Sequence, residues 1–190
     1  MLDGDEAPLP EVALAGQHQQ RNAQIAIAAM QQLGRPFDVA ALQTVRHPGR
    51  FEEAGDLILD GAHNPHGARA LAATLRARDL RPVLVLAVSA DKDVRAIAEA
   101  LAGEVSGVIA TRFQQERALD PEVLARVLRE VGASRVETAP DLAAAVTRAR
   151  QLGERVLVAG SLFLVGEART RFLGAPTDPF VATELVATVT

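Results

Sequence analysis

Leu57-Ile58-Leu59-Asp60-Gly61-Ala62-His63-Asn64-Pro65-His66-Gly67-Ala68 is the stretch from which the fold of this chain is read. Leu57 to Leu59 is an apolar, β-prone run, and Gly61 permits a tight turn. Asn64-Pro65 has the form of an N-cap followed by proline at the first helical position. A strand therefore ends near Asp60 and a helix begins at Pro65. Asp60 and His63 fall beside the unpaired N–H groups of that helix start, where donors and the helix dipole together favour an anion such as phosphate or carboxylate.

The same alternation continues outward from this junction. Strand-like runs at 57–60, 83–88, 107–111, 135–138 and 155–159 are separated by stretches with apolar residues three and four apart, at 65–78, 93–101, 120–131 and 141–152. Runs 83–88 and 155–159 are apolar throughout, as expected of strands covered on both faces. Phe51-Glu52-Glu53 followed by Gly55-Asp56 reads as a short hairpin that adds one antiparallel edge strand. The expected fold is α/β, a doubly wound, mostly parallel, Rossmann-like sheet of residues 47–190. Residues 1–46 lack this rhythm. Gln17 to Leu33 is expected to form one helix, with Ile27, Met30 and Leu33 on a face and Gly34 as its stop, and no core of its own. Pro36 and His47-Pro48-Gly49 separate it from the sheet, so it must dock on the sheet domain, on another copy, or on a partner.

Composition narrows the function. With 190 residues, 48% of them hydrophobic, the chain has material for one domain and an extra segment. A net charge of −4 and 3% aromatics argue against a nucleic-acid surface. No apolar run is long enough to span a bilayer, and the absence of cysteine fits a reducing, cytoplasmic setting. Lys92 is the sole lysine among 20 basic residues, which invites the question whether an amine is required there.

Ligands of open parallel sheets bind beyond the carboxyl ends of the strands. Three such ends carry polar residues here: Asp60 to Pro65, Ser89-Ala90-Asp91-Lys92-Asp93, and Gly160-Ser161. Taken singly, Asp91 and Ser161 read as helix caps; their shared rim makes them candidates. His63 is placed to meet an anion or move a proton, whereas His18, His47 and His66 read as structural or solvated. Arg50, after a Pro-Gly turn, is either a solvated cation or a phosphate fork. No histidine and carboxylate spacing forms a metal site, and neither GxxxxGK[ST] nor GxGxxG occurs.

Four motifs now carry a resemblance: Gly16-Gln17-His18-Gln19-Gln20-Arg21-Asn22-Ala23, Pro48-Gly49-Arg50-Phe51-Glu52, Leu59 to Pro65, and Gly160-Ser161-Leu162-Phe163-Leu164-Val165-Gly166-Glu167. Ser89 to Asp93 is a weaker fifth. In order and spacing they resemble the C-terminal part of folylpolyglutamate synthase/dihydrofolate synthase, in the Mur ligase superfamily. His47 departs from the family, whose members often have tryptophan before Pro-Gly-Arg.

The resemblance implies an ATP-dependent amide ligase that adds L-glutamate to dihydropteroate or to folate polyglutamate tails through an acyl phosphate. It implies that Asn22 contacts adenine, Arg50 the ATP phosphates, and Asp60 the ribose or the Arg50 side of the nucleotide. His63, Lys92 and Ser161 would hold glutamate and the transferred phosphoryl group, with His63 and Lys92 in the catalytic roles. Magnesium would accompany ATP, its ligands lying outside this chain. Residues 1–46 would be the closing helix and linker of a preceding ATPase domain, without which the chain is expected to be inactive. Two other readings stand beside this one. The first is another Mur-type amino-acid ligase, disfavoured by the Asp60 to Pro65 motif, and the second is a non-catalytic binding or assembly module that kept the fold.

Overall fold

The computed structural model describes residues 11–176; residues 1–10 of the expected helical segment and 177–190 of the expected sheet domain lie outside the described residues. Among the described residues, six strands form one sheet: β1 (Glu52–Ala54), β2 (Leu57–Asp60), β3 (Val83–Leu86), β4 (Gly107–Ala110), β5 (Val136–Thr138) and β6 (Val156–Ala159). Their spatial order is β1-β2-β6-β3-β4-β5, with β1 antiparallel to β2 and every other pairing parallel. The α/β class and the antiparallel edge are as the sequence implies.

Period-two alternation explains the two layers around the sheet. Ile58, Leu157 and Leu84 stand in register and face one core, which also takes Leu71 and Leu75 of α2 (Pro65–Ala77), Ile97 of α3 (Val94–Ala102) and Leu124 of α4 (Pro121–Glu130). Their neighbours Leu57, Val156 and Val83 face the opposite core, built with Val146 of α5 (Leu142–Leu152) and Leu164 of α6 (Leu162–Leu173). Residues of β3 and β6 are buried on both faces, which is why their sequence shows no polar alternation. Each fully buried Leu or Ile in these layers contributes about 1.5–3 kcal/mol relative to exposure.

Side-chain caps start helices α2 to α6. Asn64, Asp93, Asp120, Asp141 and Ser161 each accept a hydrogen bond from a backbone N–H of the first turn, worth about 1 kcal/mol apiece. Asp93, not Asp91, caps α3, which corrects the capping role expected of Asp91; Asp91 instead pairs with Lys92 at 2.9 Å. Helix α6 was marked in the sequence only by its Ser161 cap, because Leu162 to Val165 is apolar without helical spacing.

Helix α1 (Gln17–Gln32) docks only in part. Its buried residues are Gln19 and Ala23 near the N-terminus, while Ile27 and Met30 are only partly covered and Leu33 is 70% exposed. These residues share one face of the helix, which is docked at its N-terminal end and uncovered toward Leu33. Gly16, at φ +99°, lets the chain pass so close to α2 that a Cβ there would lie 2.7 Å from Thr74 Oγ1. Val39–Gln43 forms a short 3₁₀ turn capped by Asp38.

Candidate functional site

A cavity of about 400 Å³ opens where the end of β2, the turn before β1 and the first turns of α1 and α2 meet. Helices after β2 and β6 leave to opposite faces of the sheet, the arrangement that opens a crevice at strand ends. Asn22, Arg50, Asp60 and His63 all line it, together with His18, His47 and His66.

Asp60 organises the floor. Its Oδ2 accepts from Phe51 N at 2.9 Å and its Oδ1 from Ala62 N at 2.8 Å, so one carboxylate ties the turn before β1 to the turn after β2. Phe51 is held at φ +47°, a left-handed conformation unusual for a bulky residue. Gly61 N donates to Gly49 O at 2.7 Å and tightens the same junction. A Cβ on Gly61 would meet Leu162 Cδ2 at 2.4 Å, so the exposed Leu162 would have to turn aside, and one on Gly49, at φ +70°, would meet Val165 Cγ1 at 2.9 Å, so that turn favours glycine. Burial pushes the Asp60 carboxyl above its ordinary range, against the pull of the two N–H donors and of Arg50.

His63 Nδ1 lies 2.7 Å from Gly61 O, and since a carbonyl only accepts, Nδ1 carries the proton and Nε2 is left as the imidazole's other face. The helix start offers an anion less than the sequence suggested. Pro65 has no N–H, Gly67 N donates to Asn64 Oδ1 and Ala68 N to Asn64 O, so His66 N is the amide of that turn without a partner among the described residues. Positive charge comes instead from the Arg50 guanidinium, with imidazoles around it. His18 is held below the ordinary imidazole range by burial, then by Arg50 and His66.

Lys92 and Ser161 do not line this cavity. Ser161 is buried and its Oγ accepts from Phe163 N at 3.2 Å, while Lys92 stands on the β3–α3 loop beside Asp91. Near that loop, Arg117 lies 4.4 Å from the Phe163 ring centroid, and Phe163 stacks on Phe113. The rim thus has two parts, one at the end of β2 and one beyond β3, β4 and β6. Sequence reasoning set His18, His47 and His66 aside, although His18 and Asn22, four apart on a helix, share a face. Among the described residues, no three His, Asp or Glu side chains converge to hold a metal ion, so magnesium is assigned no ligand here.

Residues 49–162 match the family described as Mur ligase, glutamate ligase domain. The chain belongs to that family. The chain is 41% identical, over 90% of its length, to a probable bifunctional folylpolyglutamate synthase/dihydropteroate synthase of Halobacterium salinarum, of which it covers 22%. It is 36% identical, over 84% of its length, to the dihydrofolate synthase/folylpolyglutamate synthase of Mycobacterium tuberculosis, of which it covers 39%. Among solved structures it resembles Mycobacterium tuberculosis folylpolyglutamate synthase complexed with ADP, at TM-score 0.79 and 36% identity, over 89% of this chain and 43% of that one. It also resembles a Yersinia pestis folylpolyglutamate synthase/dihydrofolate synthase complexed with AMPPNP and manganese, at TM-score 0.71 and 28% identity, over 88% of this chain and 41% of that one. The chain therefore spans less than half the length of these relatives. No helix among its described residues is long and apolar enough to cross a membrane.

Proposed function

We propose that this chain forms one wall of the active site of an ATP-dependent ligase that adds L-glutamate to dihydropteroate or to a folate polyglutamate tail. The observation that carries the reading is the convergence of Arg50, His63, Asn22 and Asp60 on one cavity, in a fold whose relatives were solved with ADP or AMPPNP. These residues fit a nucleotide by their chemistry. Arg50 offers a fork for phosphate oxygens, and the Asn22 amide offers a donor and an acceptor for a base edge. Asp60, with both oxygens already engaged by backbone N–H groups, retains further lone pairs for a ribose hydroxyl and above all fixes the turn that presents Arg50.

The nucleotide, when bound, supplies the phosphoryl group that activates the acceptor carboxylate. His63, with Nδ1–H spent on Gly61 O, presents Nε2 to accept or pass a proton at the cavity wall. Lys92 and Ser161 belong to the second part of the rim, where Lys92 would bind a glutamate carboxylate by exchanging Asp91 for it. Folate, glutamate and a preceding ATPase domain are the partners this reading requires, with that domain supplying the magnesium ligands and the opposite wall.

The test is complementation in trans. Mixed with a separately made ATPase domain, the chain is expected to support glutamate- and folate-dependent ADP release that neither part shows alone, and Arg50→Ala is expected to abolish it. ADP binding to the folded chain without turnover at any stoichiometry would instead favour a non-catalytic binding module.

A further inference from the structure

The side chains of His18, Gln19 and Asn22 form a chain of hydrogen bonds along the cavity wall. Asn22 Nδ2 donates to Gln19 Oε1 at 3.2 Å, and Gln19 Nε2 lies 3.0 Å from His18 Nε2. Chemistry fixes the direction of the second contact. An amide nitrogen has hydrogens and no lone pair to offer, so His18 Nε2 is the acceptor and the imidazole proton sits on Nδ1. His18 is therefore neutral in this arrangement. Gln19, the middle member, is buried, where a mispaired amide is costly.

We propose that this relay fixes the sense of the Asn22 amide, and so selects the 6-amino group of adenine over the 6-oxo group of hypoxanthine or guanine while His18 is neutral. The inference rests on the nucleotide reading above and deepens it. With Nδ2 turned to Gln19, Asn22 keeps Oδ1 as the acceptor at the other end of its amide, on a residue that lines the cavity. An acceptor there suits an exocyclic amine and repels a carbonyl oxygen. Protonating His18 turns both partners of the 3.0 Å contact into donors. Gln19 relieves the conflict by rotating, so that Oε1 faces His18 and Nε2 faces Asn22. Asn22 must then rotate as well, and the cavity meets a donor instead.

The charged and titratable groups around His18 hold the relay in its first state. Arg50, on the turn before β1, and His66, on α2, both oppose a proton on His18, and burial does so more strongly than either. His47, His63 and Asp60 are the other ionisable residues of the same cavity. Phosphate groups drawn to Arg50 would weaken its share of this opposition, so the relay is tested first without nucleotide.

Imidazole nitrogen spectra of the full chain, with His18 assigned through His18→Gln, are expected to show the Nδ1–H tautomer at neutral pH. On acidification the side-chain amide signals of Gln19 and Asn22 should move together with His18, at a midpoint below that of an ordinary imidazole. An Nε2–H tautomer, or amide signals indifferent to the His18 titration, would overturn the relay. Calorimetry with ADP and IDP then reads its consequence. The preference for ADP is expected to be about tenfold above the His18 midpoint and to fall to about twofold below it, and in Gln19→Leu at every pH. An unchanged preference in Gln19→Leu would sink the selectivity claim. Should neither nucleotide bind, the nucleotide reading fails with its base selectivity, and the spectra alone decide whether the relay exists.

Discussion

Strand β3, apolar throughout, and helix α1, whose Ala23, Ile25, Ile27 and Met30 stand among glutamines, end in opposite circumstances. Every residue of β3 is buried between two helical layers, whereas α1 covers only Gln19 and Ala23 and leaves Ile25 68% and Leu33 70% exposed. Beyond α1, Phe37, Val39 and Val45 are exposed too. Residues 49–173 hold the buried core apart from Ala23, and residues 11–46 carry apolar surface that the sheet does not cover. Yet the cavity needs both, since Ala15, His18, Gln19 and Asn22 come from the less covered region. One wall of the site is rigid by construction, and the other is held by a few contacts at the start of α1.

Amide exchange should expose the largest difference. Opening free energies run from about zero at frayed elements to the full stability of about 5–15 kcal/mol in core strands. Amides of β3 and β6 are expected to exchange only by global unfolding, and those from Ile25 to Gln32 several kcal/mol more easily. Equal protection in dilute monomer would break the comparison and show that α1 belongs to the sheet's cooperative unit. Truncations give the same contrast on a smaller scale. Leu84→Ala, in the central strand, should cost about 2–5 kcal/mol in urea unfolding, and Leu33→Ala within about 0.5 kcal/mol of nothing.

This contrast also explains what could be read from the chain alone. Strands 57–60, 83–86 and 156–159 announced themselves because burial on both faces demands unbroken apolar runs. The Asn64-Pro65 helix start was equally plain, since cap chemistry is local. What escaped is non-local. His18 and His66 stand 48 positions apart and meet only because Gly16 brings α1 against α2. The Asp60 clamp on Phe51 depends on hairpin register, which places the turn before β1 beside the end of β2. Lys92 was read onto a strand-end loop of the rim, but the strand order that sets β6 between β2 and β3 is non-local, so its distance from the cavity lining could not be anticipated.

Asp60 joins the rigid wall to the turn that bears Arg50, and its removal sharpens the comparison at the site itself. Asp60→Ala leaves Phe51 N–H and Ala62 N–H without their acceptor, at a net cost of about 1–3 kcal/mol. Burial raises the folded-state pKa of Asp60, so the native state holds this proton more tightly than the unfolded chain does. Its contribution is accordingly greatest below the unfolded carboxyl pKa and is lost as pH rises through the folded one. Urea midpoints followed across the mildly acidic range should show that decline in the parent and lack it in Asp60→Ala. A variant as stable as the parent, with the same pH profile, would mean that the clamp is incidental.

A small effect is expected at the ion pairs, which among the described residues all lie within 52–169 and none on the α1 segment. Asp56, in the β1–β2 turn, accepts from Arg150 Nε at 2.7 Å and Nη2 at 3.0 Å, fastening the antiparallel edge to α5. The Arg150 hydrogen bonds hold the Asp56 carboxyl below its ordinary range against partial burial. Stability from this pair is therefore present above the unfolded pKa and lost as pH falls through the folded one. Both side chains are more than a third exposed, so solvent screens the pair, and Asp56→Asn should cost about 0.2–1 kcal/mol, less at high salt. A larger, salt-insensitive cost would identify the turn as a pin for the edge strand. Because β1 follows directly on the turn that carries Arg50, such a pin would make the rigid wall of the cavity depend on a surface contact at its far end.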